Sequence, residues 1–282
     1  MTTLRTGLLL VAATTFLTLT TPTVASAAFR AGFNTSSLAA NDDGSTGAIA
    51  MGFTANYFGT SYTDTFVNNN GNVTFINPLG IFTPFGLTTN VGTPIIAAFF
   101  ADVDTRGVGS ALTKYGTGLV NGRNAFGVTW DGVGYFSLGV NKLNAFQLVL
   151  VSRADIAAGD FDIEFNYNSI QWETGGASGG TNGLGGNSAR VGYSAGTGAA
   201  GSFAELAGSG VNGAFLNGGP NSLISNSLNS NGVSGRYIFN VRNGVVLPPP
   251  PVVGVATPAP AGLLIGVLGG AGLFGFRRFR KA

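Results

Sequence analysis

The segment FVNNNGNVTF, Phe66 to Phe75, places two short apolar runs around four asparagines and a glycine. Valine, phenylalanine and threonine favour β-strands. Asn-Gly is the strongest short signal for a hairpin, because both residues tolerate the positive φ that a type I′ turn requires. We therefore predict an antiparallel hairpin that turns at Asn70-Gly71. A calcium or sugar contact at the asparagines is the alternative interpretation.

Strand-like runs of the same kind recur between Phe29 and Gly244, separated by Gly, Asn and Asp turns. FDIEFNY, Phe161 to Tyr167, alternates with period two, which predicts its aromatic residues and Ile163 on the core face and Asp162, Glu164 and Asn166 on the solvent face. PIIAAFF (94–100) and AFQLVLV (145–151) are apolar almost throughout, as is typical of strands buried on both faces.

No run of helical length has a period of 3.6 residues in this region. Many short strands with frequent turns predict an all-β fold, a single antiparallel β-sandwich domain spanning residues 28–244. The glycine-rich stretch TGGASGGTNGLGG, Thr174 to Gly186, is predicted to be a mobile loop inside that domain.

Composition excludes several functional classes. Only 9% of the residues are charged, against about 25% in ordinary soluble domains. Arg5 and the four basic residues of the tail account for five of the 14 basic residues, so the middle of the chain holds 9 basic against 12 acidic residues. A basic nucleic-acid-binding face is therefore not expected. Without cysteine or histidine, the chain cannot build disulfides, the usual zinc sites or a Ser-His-Asp triad.

The amino-terminal residues 1–27 are predicted to be a signal peptide. Arg5 precedes a mostly apolar run, and Ala25-Ser26-Ala27 has the small-x-small pattern of a signal peptidase site. We expect the mature chain to begin near Ala28 and the protein to be exported.

The carboxyl-terminal residues are predicted to form a spacer and an anchor. Residues 245–260 are rich in proline, which favours an extended spacer. Residues 261–282 combine an uncharged apolar stretch with a basic end, RRFRK, which indicates a short transmembrane helix with a cytoplasmic basic tail. This end resembles the PEP-CTERM class of bacterial sorting tails, with Ala259 where the family motif carries Glu. The resemblance implies an exosortase-type sorting enzyme as a partner.

The middle of the chain resembles the nidogen-like (NIDO) extracellular domain. The segment from Asn41 to Phe75 is similar to the opening of that domain, and Ile95 to Ser110 is similar to its signature, with Phe100 where the family usually has Trp. Later segments agree in the same order: Phe161 to Gly175, Ser188 to Gly198 and Gly235 to Val241. The resemblance implies a role in matrix or cell adhesion, with no known enzymatic activity and no agreed binding residues.

The carboxylates offer one candidate metal site. Asp102 and Asp104, spaced by two, would share a face if the strand continued through them, and calcium prefers oxygen ligands. No cofactor is expected for this chain, with calcium at these carboxylates as the one exception considered. The alternative is structural, with these residues accepting turn N–H bonds or pairing with Arg106. Asp42-Asp43-Gly44 is a second turn with the same two interpretations.

Two other site hypotheses are weaker. Glu164 and Glu173, with these aspartates, supply the residue types of a glycosidase, yet acids are common on solvent faces. Tyr57, Tyr115 and Tyr135 could stack on sugars, although packing explains most such tyrosines. We therefore expect a non-catalytic bacterial surface protein for adhesion to an extracellular matrix protein or an exopolysaccharide. The alternatives are a calcium-dependent glycan-binding module and a passive structural component of the exopolysaccharide.

Overall fold

The computed structural model describes residues 29–248, which form an all-β domain. Its only helical element in this range is a 3₁₀ turn, Gly176–Ser178. The fourteen strands are β1 (Ser36–Ser37), β2 (Ile49–Tyr57), β3 (Thr60–Asn68), β4 (Asn72–Thr74), β5 (Ile95–Phe100), β6 (Val103–Asp104), β7 (Lys114–Val120), β8 (Arg123–Tyr135), β9 (Gly139–Ser152), β10 (Phe161–Ser169), β11 (Arg190–Ser194), β12 (Phe203–Glu205), β13 (Arg236–Arg242) and β14 (Val245–Val246).

These strands form two sheets. The first has the order β1-β7-β8-β9-β10-β13-β14, and β6 also pairs with β8. The second has the order β12-β11-β5-β4-β3-β2. Every pairing between these strands is antiparallel. The predicted all-β antiparallel class is therefore confirmed.

The main hydrophobic core draws its side chains from both sheets, which pack as a sandwich. Two contacts tie the layers together across this core. The Tyr167 hydroxyl of β10 donates to the Ala98 carbonyl of β5 at 2.6 Å, and the rings of Phe99 and Phe146 lie 5.2 Å apart between centroids. Burial of aromatic and aliphatic side chains from both layers is the dominant favourable term for such a fold.

The prediction that two strands are buried on both faces is confirmed. The second face of β5, which includes Phe100, packs with Leu87 from the loop that precedes it. The second face of β9 presents Val149 and Val151 to Phe33 from the amino-terminal segment. Loops and the amino-terminal segment thus cover surfaces that would otherwise expose apolar area.

The alternation of β10 is confirmed on its inner face and wrong on its outer face. Phe161, Ile163, Phe165 and Tyr167 enter the main core. On the other side, however, Glu164 is only 3% exposed and Asn166 is fully buried. A period of two fixes which side chains point away from the core, but another segment can cover that second side. In this domain the residue that covers Glu164 is Arg30.

The glycine-rich stretch is a loop inside the domain, as predicted, and hydrogen bonds hold it where a mobile loop was expected. The N–H of Gly176 donates to the Phe136 carbonyl at 2.6 Å, and the N–H of Glu173 donates to the Gly183 carbonyl at 2.8 Å. Thr181 and Leu184 form an isolated antiparallel bridge. Backbone hydrogen bonds, rather than apolar side chains, hold this segment against the sandwich.

The domain extends to β14, which pairs with β13 through Val241 and Val246. The first residues of the predicted spacer therefore belong to the domain. The predicted signal peptide (1–27), the rest of the spacer and the predicted anchor with its basic tail (261–282) lie outside the described residues. Within residues 29–248, no helix is long and apolar enough to cross a membrane.

Candidate functional site

The hairpin of β3 and β4 forms as predicted, but with a different turn. Asn68 pairs with Asn72, so the loop has three residues, Asn69 to Gly71. We call these residues the asparagine turn. Positive φ occurs at Gly71 (+77°) and not at Asn70, so the prediction of a two-residue type I′ turn was wrong. The three-residue form with a left-handed glycine is the next common hairpin loop.

A second Asn-Gly pair provides the type I′ turn. Asn121 and Gly122 join β7 and β8, with Val120 paired to Arg123 and with positive φ at both positions, 51° and 77°. This turn is exposed, whereas the asparagine turn is buried. The dipeptide alone therefore does not decide the turn type, because the side chains of the asparagine turn have partners inside the protein.

The asparagine turn connects several segments. The Asn69 side-chain amide donates to the carbonyls of Asp42 and Val103, both at 2.6 Å. The Asn70 amide donates to the Asp43 carboxylate at 2.9 Å, and its oxygen accepts the Val103 N–H at 2.9 Å. Buried amides with such complete partners specify one arrangement of the chain. The turn therefore positions the backbone around Asp42, Asp43 and the residues after β5.

Asp104, one of the two predicted calcium ligands, is held by Arg106. Its carboxylate accepts hydrogen bonds from the Arg106 Nε at 2.9 Å and Nη2 at 2.8 Å, and from the Leu138 N–H at 3.0 Å. Burial opposes the charge, but these hydrogen bonds outweigh it and keep the pKa of Asp104 below its ordinary value. This geometry matches the structural interpretation of Asp104.

Asp102, the other predicted ligand, is in the opposite situation. It is 1% exposed, and neither carboxylate oxygen has a hydrogen-bond partner among the described residues. Burial, followed by the neighbouring charges of Asp42, Asp43 and Asp104, raises its pKa to about 7. The Ser178 N–H lowers the pKa of Asp102. Because this N–H donates to the Gly175 carbonyl at 3.2 Å, it offsets only part of the rise in pKa that burial causes.

Asp102 faces Asp42 and Asp43. One carboxylate oxygen from each of the three residues lies within 4.8 Å of the others. We call these three residues the acidic cluster. Asp42 binds the Arg106 guanidinium through Oδ2 at 3.0 Å, while its Oδ1 is buried without a partner. Burial and the charges of Asp43 and Asp104 raise the pKa of Asp42 to about 6, against the opposing effect of Arg106.

The spacing of Asp102 and Asp104 suggested that both bind the same ion, but in the structure the two residues have different surroundings. The residues that meet Asp102 come from the Asp42-Asp43-Gly44 turn, which the sequence indicated only as a second turn of the same kind. The run of asparagines at residues 68–70 could have indicated that Asp102 meets this turn, because buried Asn side chains need hydrogen-bond partners from other segments.

The outer face of β10 carries a buried ion network. Glu164 accepts hydrogen bonds from Arg30 Nε at 2.9 Å and Nη2 at 3.0 Å, and Arg236 Nε lies 3.2 Å from the same carboxylate. Asn166 donates to Glu164 at 2.8 Å. The interpretation of Glu164 as a solvent-facing acid was wrong, because the amino-terminal segment covers it.

Glu173 is also fully engaged. Its carboxylate accepts hydrogen bonds from the Ser188 hydroxyl and from the N–H groups of Gly213 and Phe215, each at 2.6 Å. This arrangement anchors the loop after β12 to the residues that flank the glycine-rich stretch on both sides. A carboxylate with three such partners serves to hold backbone in place.

The tyrosines considered for sugar stacking are mostly packed inside. Tyr57 is 2% exposed, and its hydroxyl lies within hydrogen-bond distance of the Ile95 and Ser194 carbonyls. Tyr135 is 7% exposed and donates to Asn141 at 2.7 Å. Tyr115 is intermediate in exposure. Tyr57 and Tyr135 therefore contribute to the core and its rim, as the packing interpretation held.

Comparison with known proteins identifies the family of this domain. The model of the nidogen-like domain matches residues 63–118 and 113–243. Over 177 residues, the chain is 33% identical to mouse alpha-tectorin and 34% identical to human alpha-tectorin. The alignments cover 55% of this chain, but only 8% of either tectorin. No solved structure matches the chain. The chain therefore belongs to the nidogen-like domain family.

Proposed function

We propose that this chain is an exported, non-catalytic adhesion module of a bacterial cell surface, which contacts a matrix protein or an exopolysaccharide. The match to the nidogen-like domain carries the proposal. We further propose that its tail anchors it in the membrane, at least transiently, and is recognised by an exosortase-type sorting enzyme.

The arrangement of the charged residues supports a binding role. The two glutamates considered for glycoside hydrolysis are engaged, Glu164 by arginines and Glu173 by a hydroxyl and backbone N–H groups. A general acid or base must reach the substrate with a free carboxyl group. The surplus of acidic over basic residues in the middle of the chain disfavours nucleic acid as the partner.

We expect the contacts to be made by the loops that join the strands. Polar loops on a rigid sandwich are where binding domains usually place their contacts. The loop between β4 and β5 also exposes apolar side chains, Ile76 at 54% and Ile81 at 44%. Exposed apolar side chains beside polar loops are typical of surfaces that bind a protein or a carbohydrate.

A solid-phase assay tests the adhesion proposal. The purified full chain is applied to native extracellular matrix and to isolated exopolysaccharide, and the retained fraction is measured after washing. An inert β-sandwich domain of similar size is the control for nonspecific retention. Retention of the chain well above this control is expected, and equal retention of the two would contradict an adhesive role.

Calcium-dependent glycan binding is a second candidate, favoured by the acidic cluster. It predicts that retention on exopolysaccharide rises with calcium and is lost in a chelator. Retention that is the same in both conditions would leave calcium-independent adhesion as the function.

A further inference from the structure

We propose that Asp42, Asp43 and Asp102 bind one calcium ion between the turn at residues 41–44 and the segment that follows β5. The proposal rests on two observations: three carboxylate oxygens converge within 4.8 Å, and Asp102 is buried there without a partner. It goes beyond the proposed adhesive role and does not depend on it.

Three oxygens of the cluster lack hydrogen-bond donors in the described part of the chain. They are both carboxylate oxygens of Asp102 and Oδ1 of Asp42. Buried polar atoms in folded proteins nearly always have a partner, and an unpaired buried carboxylate is especially costly. Gly175 closes the site on one side, because a Cβ there would stand 2.6 Å from the Asp102 Cγ. A cation bound in the cluster supplies a partner for the buried Asp102 carboxylate, which has none among the described residues.

The geometry and chemistry fit calcium better than other common cations. Calcium binds oxygen at about 2.3–2.6 Å, so two of its ligands are at most about 5 Å apart, and the 4.8 Å limit of the cluster lies within that range. Magnesium demands near-ideal octahedral geometry and gives up its water reluctantly, so a cage of protein carboxylates suits it less well. With only carboxylate oxygens converging, the site lacks the nitrogen and sulfur ligands that zinc prefers.

The local charge also favours a divalent cation. Among residues 29–248, the carboxylates of Asp42, Asp43, Asp102 and Asp104 meet one nearby guanidinium, that of Arg106, which binds Asp42 and Asp104. Four carboxylates against one guanidinium leave an excess of three negative charges when all are ionised. Carboxylates at this separation repel one another strongly where burial reduces screening.

The site is held in place before any ion arrives. Asn69 binds the Asp42 carbonyl and Asn70 binds the Asp43 carboxylate, while the Asn70 oxygen fixes the N–H of Val103, next to Asp102. Asp42 and Asp43 are partly exposed, which leaves an entry path. Asp104 does not serve as a ligand because Arg106 and Leu138 occupy its oxygens.

Thermal unfolding of the full chain, kept in a mild non-ionic detergent and followed by tryptophan fluorescence, tests the proposal. The chain is first stripped with a chelator and then compared in chelator, in calcium and in magnesium. Extracellular calcium sites bind at about 0.1–1 mM. A hundredfold excess of calcium over Kd should raise Tm by about 5–10 °C in a domain of this size. Titration calorimetry should give one ion per chain.

Substitutions of single carboxylates locate the calcium ion within the cluster. Asp102→Asn should abolish the calcium-dependent shift in Tm, and Asp43→Asn, which changes a more exposed residue, should weaken it at least tenfold in Kd. Asp104→Asn should retain binding, as should Asp64→Asn, an exposed control on β3.

Several results would overturn the proposal. The first is that calcium causes neither a Tm shift nor a heat of binding in the native chain, which would leave a shared proton as the partner of Asp102. The second is a calcium-dependent Tm shift that survives in Asp102→Asn. The third is that magnesium raises Tm as much as calcium does. If Asp102→Asn does not fold, loss or retention of calcium binding in Asp43→Asn decides the matter.

Discussion

Replacing Gly71 by alanine should destabilise the domain far more than its position in a hairpin loop suggests. A Cβ at Gly71 would overlap the Phe99 carbonyl oxygen and stand 2.7 Å from the carbonyl carbon. Phe99 belongs to the central strand β5, its ring lies in the main core, and its N–H donates to the Gly71 carbonyl at 3.0 Å. The backbone of β5 therefore has little room to yield.

Three contributions set the expected magnitude. Left-handed φ at an alanine costs about 1–2 kcal/mol, and an added methyl group in a packed interior costs about 1–3 kcal/mol. Loss of the Phe99–Gly71 hydrogen bond costs about 1 kcal/mol more. Together these lower the free energy of unfolding by about 3–6 kcal/mol, a large share of the stability of an ordinary domain.

Gly122→Ala is the matched control. Gly122 also follows an asparagine in a hairpin and has the same φ of +77°, but a Cβ there would meet no atom within 4 Å. Gly122→Ala should therefore lower the free energy of unfolding only by the cost of a left-handed φ at an alanine, about 1–2 kcal/mol.

The assay is equilibrium urea unfolding, followed through the two tryptophans, Trp130 and Trp172, which are both fully buried. Trp130 also donates to the Asn69 carbonyl at 2.9 Å, so its fluorescence should respond to the turn directly. If the two alanine variants differ from each other by less than about 1 kcal/mol, the close approach of the turn to β5 does not have the energetic weight assigned to it.

Three further predictions concern the ion network, a surface carboxylate and the tail. Glu164→Ala should lower the free energy of unfolding by about 3–5 kcal/mol in urea titrations, because it removes the buried carboxylate that pairs with the Arg30 and Arg236 guanidinium groups. Hydrogen bonds from Arg123, and to a smaller extent from Arg153, hold the pKa of Asp155 in the folded protein below its ordinary value. Asp155 therefore stabilises the fold when the pH is above its ordinary pKa, and this stabilisation is lost as the pH falls through its lowered pKa. Arg123→Ala should raise the pKa of Asp155 in an NMR titration, and an unchanged pKa would refute this attribution. Deletion of residues 261–282 should release the protein into the medium, and retention of the truncated chain in the membrane fraction would show that the tail is not its anchor.

Much of the fold could be predicted because its signals are local. The period-two pattern of β10 identifies Phe161, Ile163 and Phe165 as core residues, and continuous apolar runs identify strands covered on both sides. The burial of Glu164 could not be read in the same way, since it depends on Arg30, which lies 134 residues away in the sequence. A pattern within one strand has no information about which distant segment covers it.

The candidate site illustrates the same limit. Spacing grouped Asp102 with Asp104, but their neighbours decide their roles: Arg106 neutralises Asp104, while Asp102 faces the turn that contains Asp42 and Asp43. That turn is 59 or more residues earlier in the chain. The antiparallel pairing of β4 with β5 brings the asparagine turn beside the end of β5, and no local sequence rule specifies this pairing.

The contrast between the two Asn-Gly hairpins has a practical consequence for labelling the protein. Hairpin tips are the usual places for an epitope tag, a fluorophore or new chain termini. The tip at Asn121-Gly122 is exposed and should accept such insertions while the sandwich stays intact. The tip at residues 69–71 is buried beneath other segments, and an insertion there would separate the asparagine side chains from the backbone that they hold.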